Sequence, residues 1–193
     1  MTPAIDLDTE LMLRVQCEDA ESFGVLLNRN RNVVIQYLAR MVQNQSIAEE
    51  LAQDVFIRVY RSRQKYEPTA RFSTWLYRIT TNVALNHFRD SKRSQQTVSL
   101  DIVDSEQVRR EARDAAPLVE EQLVKDVLAH EVRRAIRSLP AKQRAAVVMH
   151  KYQEMDYAQI SAVLRCSPSA VKALMFRAYE TLRGRLAYLQ ESR

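Results

Sequence analysis

The chain has 193 residues, 46% of them hydrophobic, enough for one or two domains with real cores and too apolar for a chain that is disordered throughout. Only two Gly and five Pro are present, too few for a fold built on many tight hairpin turns, so long helices are favoured. The formal net charge of +5 is unevenly spread: about +1 over residues 1–92, about −3 over 93–124 and about +7 over 125–193, which fits a polyanionic partner at the C-terminal end. Cys17 and Cys166 stand alone, so neither a metal site nor a disulfide is indicated. His87, His130 and His150 lack a Cys or acidic partner at nucleophile spacing, and Gly24 and Gly184 cannot make a phosphate loop. No catalytic residue, metal or cofactor is therefore expected. No leader peptide or long apolar run is visible, and a soluble, cytoplasmic protein is expected.

In chain order, Leu11, Leu13 and Val15 begin a first helix. Asp19 precedes a second, with Phe23, Leu26, Leu27, Val34, Tyr37, Leu38 and Met41 as core candidates. A third starts near Ile47, with Ala48, Leu51, Ala52, Val55, Phe56, Val59 and Tyr60 at three- and four-residue spacing. Its outer side carries Glu49, Glu50, Gln53, Asp54, Arg58 and Arg61, and is either a solvated face or a protein-docking face. A loop from Lys65 to Arg71 contains Pro68, and Ser73 can cap a fourth helix running to about Arg89.

That fourth helix buries Leu76, Ile79, Thr80 and Val83. Trp75, Arg78, Asn82, Asn86 and Arg89 share an adjoining face. A ring on which bases stack, amides that read base edges and guanidiniums that neutralise phosphate are what single-strand binding needs. The same spacing also fits a core tryptophan beside an ordinary solvated stripe.

Residues 93–120 lose the periodicity and read as an acidic, flexible linker with one short helix around Val108. From Glu121, Leu123, Val127, Leu128, Val132, Ala135, Ile136 and Leu139 form a helix stopped by Pro140, and Ala145 to Tyr152 make the next. Asp156 and Gln159 are spaced as a capping box, followed by the apolar face Ile160, Val163 and Leu164. Arg165 and Cys166 break the pattern. Ser167 and Pro168 then start a last helix, because a Ser side chain caps unpaired amides and Pro suits the first helical position. Val171, Leu174, Met175, Ala178 and Leu182 form one stripe; Ser169, Lys172, Ala173, Phe176 and Arg177 lie away from it. A short helix, a turn and a longer helix with a basic outer face make a helix-turn-helix, although a plain helical hairpin shares the pattern. The fold expected is all-α, with two helical domains, 1–92 and 121–193, joined by the flexible linker 93–120.

Three segments together resemble the extracytoplasmic-function sigma factors of bacterial RNA polymerase. AEELAQDVFIRVY at 48–60 looks like the core-binding helix of a sigma-2 domain. FSTWLYRITTNVALNHFR from Phe72 looks like its promoter-melting helix. LPAKQRAAVVMHKYQEMDYAQISAVLRCSPSAVKALMFRAYETLRGRL from Leu139 looks like a sigma-4 domain. The signatures occur in order across nearly the whole chain, with a linker between them.

The resemblance implies a non-enzymatic factor that binds core RNA polymerase, through its beta and beta-prime subunits, and promoter DNA. Asp54, Phe56, Arg58, Tyr60 and Arg61 fall on the core-binding helix. Lys65, Tyr66, Arg71 and Phe72 fall on the loop that captures a flipped −10 base, Asn82 on the pocket wall, and Trp75, Arg78 and Asn86 on the support of the separated strand. Ser169, Lys172, Ala173, Phe176 and Arg177 match −35 contacts. It also implies an anti-sigma partner, membrane-anchored in many members, and a linker whose Asp101, Asp104 and Glu106 either mimic nucleic acid near the polymerase active centre or belong to an ordinary tether. The chain departs from the family near Ala173 and Leu174, where a hydroxyl or second Arg is frequent. A stand-alone helix-turn-helix regulator would need neither the Asp54–Tyr60 nor the Phe72–Arg89 segment.

Overall fold

The computed structural model describes residues 6–97 and 119–188. Among these residues the chain forms helices α1 (Leu7–Gln16), α2 (Ala20–Val42), α3 (Gln45–Arg61), α4 (Phe72–Thr97), α5 (Val119–Arg137), α6 (Ala141–Tyr152), α7 (Tyr157–Leu164) and α8 (Pro168–Leu186), with one 3-10 turn at Arg63–Lys65 and no strand. The all-α expectation is met.

Local chemistry sets where these helices start. Asp6, Asp19 and Asn44 each accept from the amide three residues on, at Thr9 (2.8 Å), Ser22 (3.0 Å) and Ile47 (3.1 Å). Both halves of the capping box form at α7: the Gln159 amide donates to Asp156 Oδ1 at 2.8 Å, and the Asp156 amide to Gln159 Oε1 at 2.9 Å. Ser167 Oγ accepts from the Ala170 amide at 3.1 Å, with Pro168 at the head of α8. Replacing Asp156 by Ala removes the side-chain half of the box; the expected cost is about 1 kcal/mol, read as a lower urea midpoint at unchanged slope.

The two glycines sit inside α2 and α8, so the turns are made without them. Gln43 (φ 54°) ends α2 and Arg165 (φ 51°) ends α7, both in the left-handed region. Each non-glycine residue there costs on the order of 1–2 kcal/mol, which the packing of the flanking helices offsets.

Several boundaries differ from the sequence reading: α1, α3 and α5 begin two to four residues earlier than read, and α4 begins at Phe72, so Ser73 lies inside the helix rather than capping it. α4 continues past Arg89 to Thr97, because Asp90 to Thr97 contains no Gly or Pro to stop it. α6 starts at Ala141 rather than Ala145, because Pro140 at the cap needs no amide partner. The short helix expected around Val108 lies outside the described residues.

α1 to α4 form a bundle around Met12, Leu38, Met41, Val55 and Leu76, all of them buried. Tyr37 is buried completely, its hydroxyl paired with Thr81 Oγ1 at 2.8 Å and its ring meeting Tyr77 edge-on at 5.3 Å. Loss of hydration pushes the Tyr37 hydroxyl far above its ordinary range and Tyr77 up to about 12. α5 to α8 close over Met149, Ile160, Val171 and Met175.

The two units share a joint that periodicity did not foretell. α7 lies along α4, and α6 packs on α2 and α4, so the buried apolar cluster runs through both. At its centre is Arg144 of α6, 8% exposed. It donates to the carbonyls of Met41 (2.6 Å), Leu139 (3.2 Å) and Arg137, and stacks 4.8 Å from the Phe88 ring centre. Burial, and secondarily the Arg137 charge, lowers its affinity for the proton. Stripping a guanidinium of water costs several kcal/mol, while each hydrogen bond from a charged donor returns about 1.5–3 kcal/mol. Met41 and Arg137 lie in the last turns of α2 and α5, so their carbonyls lack intrahelical partners and carry the negative end of the dipole.

Candidate functional site

Three faces gather the residues named from the sequence. The first is the outer side of α3. Arg58 grips Asp54 one turn earlier with two hydrogen bonds, Nε to Oδ1 at 3.0 Å and Nη2 to Oδ2 at 2.8 Å. This pair holds two charged side chains in register along the helix edge. Beside it runs a groove of about 450 Å³ between α2 and α3, with Phe56 on its floor and Phe23, Leu27, Ile57 and Tyr60 on its walls. Phe23 and Tyr60 meet at 5.0 Å, and Arg63 stacks 4.3 Å from the Tyr60 ring centre. Arg31, Glu49 and Arg61 line the polar rim. Apolar walls with a charged rim suit an amphipathic helix from a partner. Of the five residues named for docking, Phe56 is buried, Asp54 is half-buried, and Arg58, Tyr60 and Arg61 are exposed. Ile57 was missed, although its off-core place on an otherwise regular helix pattern is a usable signal.

The second face is α4 with the loop before it. Gln16 of α1 anchors the loop start by donating to the carbonyls of Arg63 (2.9 Å) and Tyr66 (2.8 Å). Tyr66, Phe72 and Trp75 form an aromatic cluster with ring centres 5.1 to 5.9 Å apart. Tyr66 and Phe72 are buried, and the Tyr66 hydroxyl donates to Thr9 at 3.3 Å. These two therefore shape the loop from beneath, while Lys65 and Arg71 are exposed at its ends. Along α4, Asn82 is exposed, and Trp75, Arg78 and Asn86 are half-buried. Burial, and then the neighbouring charge of Arg165 at the α7–α8 turn, lowers the pKa of Arg78 from its ordinary value. The polar face expected on α4 is real, but its Arg78 end abuts the C-terminal unit.

The third face is α8. Val171, Met175 and Ala178 are buried, and Leu174 and Leu182 pack at the core edge. Ser169, Lys172, Ala173, Phe176 and Arg177 are all exposed, Phe176 at 69%. A phenylalanine bare to water between two cations fits contact with a thymine methyl or a sugar edge. Cys166 is half-buried against the core at the turn. Asp101, Asp104 and Glu106 lie outside the described residues.

Among the described residues no cluster of His, Cys, Asp and Glu could hold a metal ion, and no helix is long and apolar enough to cross a membrane.

Comparison with known proteins finds relatives along both helical units. Residues 26–94 match the model of sigma-70 region 2, and residues 129–182 match sigma-70 region 4, together well over half of the chain. The chain is 28% identical over 176 residues to the RNA polymerase sigma-H factor of Pseudomonas aeruginosa, covering 91% of each. It is 29% identical over 178 residues to the ECF RNA polymerase sigma-E factor of Escherichia coli K12, covering 91% of this chain and 92% of the relative. In fold it is similar to CnrH in complex with the cytosolic domain of CnrY, at 20% identity and TM-score 0.68 over 95% of this chain and 99% of that one. It is also similar to the sigma factor RpoE of Bartonella quintana in complex with the anti-sigma factor NepR, at 18% identity and TM-score 0.67 over 87% and 98%. With both sigma-70 regions in order on one helical chain, the protein belongs to the sigma-70 family, as an extracytoplasmic-function RNA polymerase sigma factor.

Proposed function

We propose that this sigma factor docks on core RNA polymerase through the α3 groove, takes up the −10 element with residues 65–72 and α4, and takes up the −35 element with α8. The protein is not an enzyme: it gives the polymerase promoter specificity and helps open the duplex. In this division of labour residues 1–92 serve binding and melting, 93–120 connect, and 121–193 read the −35 element. The observation that carries the reading is the α8 row, whose five candidate residues are exposed while the opposite side of the same helix is buried.

Each face has a defined task. Asp54, Phe56, Arg58, Tyr60 and Arg61 meet the clamp of the beta-prime subunit. Tyr66 and Phe72 hold the loop shape, Lys65 and Arg71 approach phosphate, and Asn82 meets the flipped base. Trp75, Arg78 and Asn86 support the separated strand, whose unstacking costs a few kcal/mol that the preformed pocket offsets. Lacking a hydroxyl or second Arg at Ala173 and Leu174, α8 leans on phosphate contacts and DNA shape. One structural neighbour is the sigma factor RpoE in complex with the anti-sigma factor NepR, and another is CnrH in complex with the cytosolic domain of CnrY, which supports an anti-sigma partner here, membrane-anchored or soluble. Acting with core polymerase, the protein works in the cytoplasm, at the nucleoid when active.

Multi-round transcription with purified core polymerase on a library of promoter fragments tests the reading. Specific transcripts appearing only with this chain support it; no transcripts together with no core complex would sink it and favour a stand-alone regulator. Arg177→Ala is expected to weaken −35 binding by about 1–3 kcal/mol at cognate sites if the guanidinium reads a base. Equal weakening at all sequences identifies a phosphate contact instead.

A further inference from the structure

We infer that Gln16 of α1 is a positioning residue for −10 recognition: its side-chain amide fixes the start of the loop that captures the flipped base, and so sets which −10 sequences that loop accepts. This rests on the promoter reading above and deepens it, since none of the residues assigned there to the −10 element lies on α1.

The amide nitrogen of Gln16 carries two N–H groups, and both are used on the loop start. They reach the Arg63 carbonyl at 2.9 Å and the Tyr66 carbonyl at 2.8 Å. These carbonyls bracket the 3-10 turn Arg63–Lys65, whose own backbone bonds run from the Lys65 amide to Ser62 (2.9 Å) and from the Tyr66 amide to Arg63 (3.1 Å). Hydrogen-bond geometry in a 3-10 turn is poorer than in an α-helix, so a brace across it counts for more. The tie is also returned. Gln16 is the last residue of α1, where a carbonyl has no helical partner, and Gln64 Nε2 donates to that carbonyl at 2.9 Å. Side chain holds backbone in both directions, between segments 47 to 50 positions apart.

The same face of α1 holds the other end of Tyr66. Thr9, about two turns before Gln16, accepts from the Tyr66 hydroxyl at 3.3 Å. With its carbonyl on Gln16, its hydroxyl on Thr9 and its ring edge-on to Phe72 and Trp75, Tyr66 is fixed in one orientation. Residues 67–71 therefore span two anchored ends, Tyr66 and Phe72, both buried. At the near end the Arg63 guanidinium lies over the ring of Tyr60, a wall of the docking groove. The clasp thus registers the loop against both the groove and α4. A pocket that tells one base from another has to be held to within about 0.5 Å by supporting groups. Without the clasp the loop adapts to a wrong base, and discrimination falls.

Two measurements on the full chain test this. In the free protein, hydrogen exchange at the amides of residues 66–71 is expected to quicken about tenfold in Gln16→Ala, with α3 and the C-terminal unit unchanged. In the holoenzyme, at a promoter found by the transcription assay, permanganate-detected opening is compared between the cognate −10 element and single-base variants of it. The ratio of cognate to variant opening, about 5- to 150-fold for one mismatched position, is expected to fall about fivefold or more, with core affinity unchanged. Loss of folded protein scales both promoters alike and leaves the ratio untouched, so the ratio isolates positioning. Gln16→Glu keeps the shape, removes both N–H donors and is expected to behave like Gln16→Ala. If the Gln16 variants lose helicity by circular dichroism, Gln64→Ala decides: it withdraws the return tie from an exposed position, and both readouts are expected to move the same way by about threefold. An unchanged ratio in a folded variant, or wild-type behaviour of Gln16→Glu, overturns the inference; a lowered ratio without faster exchange overturns the clasp as its cause. Each of these leaves the promoter reading standing, whereas a wild-type chain that drives no transcription removes that reading itself.

Discussion

Ile57→Glu is expected to weaken the complex with core polymerase about 30-fold or more while changing folding stability by no more than about 0.5 kcal/mol. Ile57 is 49% exposed, so nothing in the core depends on it. It lines the groove whose floor is Phe56 and whose walls include Phe23, Leu27 and Tyr60. A helix seated there would cover the new carboxylate, and burying an uncompensated charge costs several kcal/mol. Arg31 and Arg61 at the rim can neutralise part of it. The expected loss is therefore set near 2 kcal/mol, which is about 30-fold. Phe56 is the poorer probe, since it is 6% exposed and a charge there would confound docking with unfolding. Titration of fluorescent core polymerase, beside a urea curve of the variant, reads both quantities. Unchanged affinity in a stable variant would move the docking face elsewhere.

On α4 two substitutions six residues apart are expected to separate stability from function. Leu76 is 2% exposed and packs in the N-terminal core. Leu76→Ala is expected to cost about 2–5 kcal/mol, a large share of the 5–15 kcal/mol that typical domains possess, because the cavity collapses only in part. Asn82 is exposed, and Asn82→Ala is expected to leave the urea curve within about 0.5 kcal/mol of wild type. Its loss should appear in strand opening, read by permanganate reactivity of unpaired thymines at a promoter, with polymerase affinity preserved. If Asn82→Ala weakens polymerase binding as much as it impairs opening, the amide has no place in a base pocket.

Most of the helical framework was legible because its signals are local. A cap spans three residues and a helical stripe four, so Asp156 with Gln159 and Ser167 with Pro168 could be read before any coordinates. The α8 row was legible for the same reason: residues off an apolar stripe face outward when the stripe is buried. The loop residues were less so. Tyr66 and Phe72 fall on the loop before α4, and their burial beneath it rests on Thr9, Gln16 and Trp75, partners that sequence distance concealed. The groove beside α3 was half-visible. Its Phe56 and Tyr60 come from α3 and were named, whereas Phe23 and Leu27 reach it from α2.

By itself the sequence determined the helical class, the starts of α7 and α8, the basic C-terminal unit and the two ordered regions that mark the family. Those depend on hydrogen bonds and periodicities within a few residues, and on charge that can be counted. The tertiary structure alone decided the joint. Arg144 meets the Met41 carbonyl across 103 positions and Tyr77 meets Gln153 across 76, and no local pattern encodes such pairs. A buried arginine and a solvated one share the same helical spacing, and only packing decides which carbonyls replace its water.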